Sequence, residues 1–172
     1  MTDLIVITGD LAALKTTVCR MLQDTHDLPA IIKDDLKETL YEQAHTRDET
    51  YLRTLSDVTF ETMVTQAKAQ PSVTLFEGNF KPHEVDVIQT QFSRALWFFL
   101  TADAQVRYTR YLAREPQRHP AHRRYGTLSY EAFLRASRTP EPFMHIVDTT
   151  QMDAHVLESM NTAIQTFLTT AQ

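Results

Sequence analysis

A chain of 172 residues fits one domain with a good-sized core, and 42% apolar with 23% charged residues is the balance of an ordinary globular protein. Its net charge of −5 speaks against a general nucleic-acid or membrane-surface binder. No run approaches the roughly 18 apolar residues of a transmembrane helix, and a lone cysteine, Cys19, excludes an internal disulfide framework.

The chain opens on a charged residue and a strand rather than a signal peptide, so the cytoplasm is the expected compartment. Only three glycines occur, Gly9, Gly78 and Gly126, against about twelve at average usage. Glycines this rare are expected to mark backbone positions that need them.

A β-branched apolar run predicts a first strand over residues 3–8, and helical spacing predicts a helix from Lys15 to Asp24 that buries Cys19. Residues 30–33 form a short second strand. Asp34 is expected to cap a helix carrying Leu36, Leu40 and Tyr41 on one side. Tyr51, Leu52, Leu55, Val58, Thr59, Met63 and Val64 repeat with helical spacing in a long helix over 48–69, which Pro71 ends. Residues 73–76 are the third strand, and Pro82 opens a helix to about Arg94. The six apolar residues 95–100 are short enough for a buried strand. Asp103 caps the next helix, which runs to about Arg114. A basic, proline-broken segment, a short helix over 129–138, a fifth strand over 143–148 and an amphipathic helix over 153–169 complete the chain. Five strands alternating with helices predict an α/β fold with a parallel sheet covered on both faces, as one domain over residues 1–172. In such sheets ligands sit beyond the carboxyl ends of the strands. Gly9, Asp34 and Glu77 fall at the ends of strands one, two and three.

The stretch Gly9-Asp10-Leu11-Ala12-Ala13-Leu14-Lys15-Thr16-Thr17 lies between the first strand and the first helix. That is the context of a phosphate-binding loop: backbone N–H groups cradle an anion, Lys15 reaches the outer phosphates, and the Thr16 hydroxyl holds Mg²⁺. The pattern is G-x-x-x-x-G-K-[ST], and Leu14 stands where its second glycine belongs. The loop either bends differently or binds nucleotide weakly or not at all. A strand-turn-helix without a ligand is the bland alternative.

Asp34 and Asp35 open a helix, as a cap and a first-turn acid or as a general base for a substrate hydroxyl. Glu77 after an apolar strand suits a Mg²⁺-bound water, and Asn79 suits substrate or the orientation of Glu77. The alternative there is a plain strand-end turn. Residues 107–124 carry six arginines against one acid, Glu115. A basic block on an acidic chain predicts a local anion partner, such as a lid over about 115–138 whose arginines neutralise a moving phosphoryl group. Arg107, Arg110 and Arg114 read either way, as lid or as a solvated helix face. Arg118, Arg123 and Arg124 are the better lid residues. His119 and His122 make a poor metal pair without a nearby cysteine or acidic pair.

Taken together, the phosphate loop, residues 32–40, residues 76–82 and residues 118–122 resemble the P-loop kinase-like ATPases of the AAA-type ATP-binding families, which include relatives of polynucleotide kinase and zeta toxin. The order and separation of the four segments fit over roughly residues 1–150. The resemblance implies strand order 2-3-1-4-5, an arginine-bearing lid, Asp34 as base and Lys37 as the substrate-phosphate contact. Lysines replace both arginines of polynucleotide kinase's Arg-Asp-Asp-x-Arg stretch, which weakens the case for a nucleic-acid 5′ end. The expectation is a kinase moving the γ-phosphate of ATP·Mg²⁺ to a hydroxyl of a small molecule or nucleotide. Glu77 supports the metal, and Arg118 and Arg123 stabilise the moving group. The alternatives are a nucleotide- or phosphate-binding protein without catalysis and a zeta-toxin-like kinase of a nucleotide sugar.

Overall fold

The computed structural model describes residues 2–122 and 126–170. The elements in chain order are β1 (Leu4–Gly9), α1 (Lys15–His26), β2 (Ala30–Ile32), α2 (Lys33–Gln43), α3 (Glu49–Lys68), β3 (Thr74–Glu77), α4 (Pro82–Gln91), β4 (Ala95–Thr101), α5 (Ala104–Arg114), α6 (Tyr130–Arg135), β5 (His145–Asp148) and α7 (Ala154–Thr169). Two short 3₁₀ turns, Glu115–Gln117 and Pro120–His122, lie between α5 and α6. The five strands form one all-parallel sheet in the order β2-β3-β1-β4-β5.

The central strand β1 is buried along its whole length, which is why it reads as an unbroken apolar run instead of alternating. One face of the sheet packs α1 and α7 through Val18, Leu22, Met160 and Ile164. The other packs α3 and α4 through Phe60, Met63 and Ile88. A third cluster, Ala12, Tyr111 and Phe133, seats α5 and α6 against the phosphate loop. Cys19 is fully buried in the first core, and burial pushes its thiol up to about 12.

Asp48, Asp103, Ser129 and Asp153 cap their helices by accepting backbone N–H groups. Asp34 does not. α2 begins two residues earlier than a cap at Asp34 implies, at Lys33, with Ile32 at the cap position and no side-chain cap. The reason is Lys33 itself, which belongs to the helix instead of to β2. Its ammonium is buried and ion-paired to Glu84 on α4 at 2.8 Å, 5.4 Å above the rings of both Phe60 and Phe80. Asp34 and Asp35 therefore occupy the first turn, where carboxylates suit the positive end of the helix.

Candidate active site

The phosphate loop begins at Gly9, where φ is +134° and a Cβ would lie 2.0 Å from the Leu100 carbonyl oxygen, so only glycine fits. Leu14, in the place of the second glycine, takes the left-handed conformation with φ 59° and ψ 24°. Leucine thus adopts the backbone shape a glycine would give, at a cost of about 1–2 kcal/mol. Ala12 is left-handed as well, with φ 61°. Among the described residues, no atom accepts from the N–H groups of Leu11, Ala12, Leu14, Lys15, Thr16 or Thr17. Six amides at the positive end of α1 with nothing to donate to form an anion cradle.

Asp10 and Ala13 play another part. The Asp10 N–H donates to the Leu100 carbonyl and the Ala13 N–H to the Asp10 carbonyl. The buried Asp10 carboxylate accepts from the Thr101 hydroxyl at 2.7 Å and the Arg138 N–H at 2.9 Å, with Arg107 at 3.6 Å. It anchors the loop to β4, α5 and the chain returning from α6.

Lys15 donates to the carbonyls of Gly9 at 3.3 Å and Asp10 at 2.7 Å. Burial holds its ammonium below the ordinary lysine value, with Glu77 and Asp34 opposing that shift. The Thr16 hydroxyl donates to Glu77 Oε2 at 3.3 Å. Glu77 is 3% exposed, and its pKa is raised to about 7, chiefly by burial; Lys15 works against the shift and Asp34 adds to it. A hydroxyl and a buried carboxylate side by side are the oxygen donors Mg²⁺ takes, so the residues present fit the ion.

These groups line a cleft of about 630 Å³ at the carboxyl end of the sheet. Around the loop, the lining comes from Asp34 and Glu38 on α2, from Asn79 after β3, and from Arg110, Arg114, Arg118, His119 and His122 on and after α5. Asp34, 64% exposed, lies in this cleft, with His122 Nδ1 3.9 Å from its Oδ1. Asp35 does not line the cleft; it pairs with Arg20 at 2.7 Å. The sequence left the choice between the two acids open, and Asp34 is the one of the two that lines the cleft. Lys37 is half-buried on α2 and does not line the cleft. Arg118 lines it while paired with Glu115 at 2.9 Å. Arg123 and Arg124 lie outside the described residues.

The solvated reading of α5 fails for Arg107 and Arg110, while Arg114 is exposed where it lines the cleft. Arg107 is 5% exposed and donates to the Ala102 carbonyl and the Ser137 hydroxyl. Arg110 donates to the carbonyls of Thr149 and Thr150. Arg110 and Arg114 are spaced by four on α5 and share one face, and Arg118 follows the 3₁₀ turn Glu115–Gln117. His119 and His122 turn to separate acids on α2, Glu42 at 2.9 Å and Glu38 at 3.0 Å. They fasten the 3₁₀ segment to α2.

No family model and no curated protein matches the sequence. Solved structures do match the fold. A candidate kinase from Chloroflexus aurantiacus superposes with a TM-score of 0.70 at 24% identity, over 96% of this chain and 97% of that one. The corresponding values for a gluconokinase from Sinorhizobium meliloti are 0.62 at 14%, over 99% and 94%. For a shikimate kinase from Bacteroides thetaiotaomicron they are 0.61 at 18%, over 97% and 98%. The fold is that of the P-loop kinases. Identities this low carry the architecture and leave the acceptor open.

Proposed function

We propose that the chain is an ATP-dependent kinase that moves the γ-phosphate to a hydroxyl of a small molecule. The observation that carries this reading is the convergence, in one cleft, of six undonated amides, Lys15, the Thr16–Glu77 pair and Asp34. The loop amides receive the phosphates. Lys15 exchanges its two loop carbonyls for a phosphate oxygen. When bound, Mg²⁺ neutralises the charge of the outer phosphates. Thr16 and Glu77 would hold it. Asp34 orients the acceptor hydroxyl and takes its proton, while Arg114 and Arg118 offset the charge on the moving group. The small-molecule kinases among the neighbours, the gluconokinase and the shikimate kinase, favour a small molecule as acceptor. They lend nothing specific to a relative of polynucleotide kinase or zeta toxin, and both buried Lys33 and non-lining Lys37 weaken the match to a nucleic-acid end.

The test is release of ADP from ATP and Mg²⁺ over a panel of hydroxy compounds, comparing the wild type with Lys15→Ala. Turnover by the wild type and none by the folded variant supports the reading, and full activity in the variant removes it. A second reading, a nucleotide sensor without catalysis, draws on Leu14 and on the folded-back Lys15. Calorimetric binding of ATP without turnover of any acceptor would favour it.

A further inference from the structure

Beside the cleft lies a second pocket of about 320 Å³, which the proposed chemistry does not use. Phe80, Val85, Phe99 and Met144 give it apolar walls, and Thr8, Arg138, Thr139 and Glu141 are its polar members. Its size fits a small ligand. It adjoins the cleft through two chain segments. Thr8 lines the pocket immediately before the phosphate loop begins, and Asn79 lines the cleft where Phe80 lines the pocket.

Arg138 is half-buried, and among the described residues its guanidinium makes no hydrogen bond and no ion pair. Two carboxylates act on its charge from a distance, Glu84 and Asp10. Both are already committed. Glu84 accepts twice from Lys33 Nζ and once from the Lys81 N–H. Asp10 accepts from Thr101 and from the Arg138 main chain, with Arg107 alongside. A guanidinium with five donors and no acceptor, set against apolar walls, asks for an anion carried on a hydrocarbon body. With Glu141 at the same pocket, the local charge suits one negative charge better than two. A carboxylate therefore fits better than a phosphate dianion.

We infer that this pocket seats the carboxylate of a small organic acid on Arg138, with its carbon body against Phe80 and Phe99. On the kinase reading above, on which this part rests, that acid is the acceptor, a hydroxy acid. Its hydroxyl oxygen forms the new bond to the γ-phosphorus as the bond to the β-bridging oxygen breaks. ADP leaves with the electron pair, and the hydroxyl proton passes to Asp34.

The experiment uses the full chain with glycerate, gluconate, shikimate and mandelate, each beside its neutral amide. Binding is read by calorimetry without nucleotide, and turnover by ADP release with ATP and Mg²⁺. The expected result is an acid that binds and is phosphorylated, with its amide weaker by about 10- to 100-fold. Arg138→Met loses a similar factor for the acid and none for ATP, and Arg138→Lys recovers part of it. Melting curves of both variants check that they are folded. The inference is overturned if acid and amide bind alike, if none of the four acids binds, or if Arg138→Met weakens ATP as much as the acid. Acid binding through Arg138 without ADP release supports the seat and counts against the kinase reading. Turnover of a neutral polyol with no acid bound does the reverse.

Discussion

The two sides of the cleft are built from different materials. The phosphate side is main chain: a loop fixed by Gly9, by the left-handed Ala12 and Leu14, and by the buried Asp10 anchor. The opposite side is made of long side chains on separate elements, Asp34 and Glu38 on α2 and Arg114, Arg118 and His122 on and after α5. Its groups are paired in the structure: Arg118 with Glu115, His122 with Glu38 and His119 with Glu42. On the proposed kinase reading, pre-formed amides receive the phosphates that every kinase substrate pair shares. On the same reading, side chains that must first release one another select the acceptor.

The sharpest way to break this contrast is Lys15→Ala, expected to lower turnover by roughly 10²- to 10³-fold or more while the melting temperature holds. Asp34→Asn comes next. It should lower kcat on the order of 10²-fold with ATP affinity retained, because Asp34 serves the acceptor side. Equal loss of ATP binding, read by calorimetry, would erase the division.

The third prediction concerns pH. Glu77 has its folded pKa raised from 4.5 to about 7, so the native state holds a proton that the unfolded chain loses. The stability from that proton is full below 4.5 and is lost as pH rises through about 7, on the order of 3 kcal/mol in total. Melting temperature without nucleotide should therefore fall from pH 5 to 7.5, and Glu77→Gln should flatten the profile. The smallest effect belongs to Leu14→Gly. Relieving a left-handed leucine offers about 1 kcal/mol of stability, offset in part by the entropy of glycine. ATP affinity should hold or improve, measured by calorimetry.

What was legible in the sequence follows the same division. The strand-loop-helix shape of Gly9 to Thr17 is encoded by neighbours in the chain and could be read directly, as could the place of Glu77 at the end of β3. The strand order came with the resemblance and the sheet has it. Contacts between distant residues were not legible. Asp10 reads as one more loop residue, because its partners Thr101 and Arg138 lie 91 and 128 positions away. Lys33 reads as the end of a strand, because Glu84, 51 positions on, draws it into the core. Arg107 reads as solvated or as lid for the same reason. The pocket at Arg138 gathers residues 8, 80, 99 and 144, which no local pattern joins.

Cys19 gives this chain a built-in reporter. It sits one turn beyond Thr16 on α1, wholly enclosed, and its high pKa leaves almost no thiolate at neutral pH. An alkylating reagent can reach that sulfur only when the first helix detaches from the sheet. The labelling rate of the natural, unmutated chain therefore clocks the opening of the segment that carries Lys15 and Thr16. Slower labelling in the presence of nucleotide would register occupancy with no assay of chemistry at all.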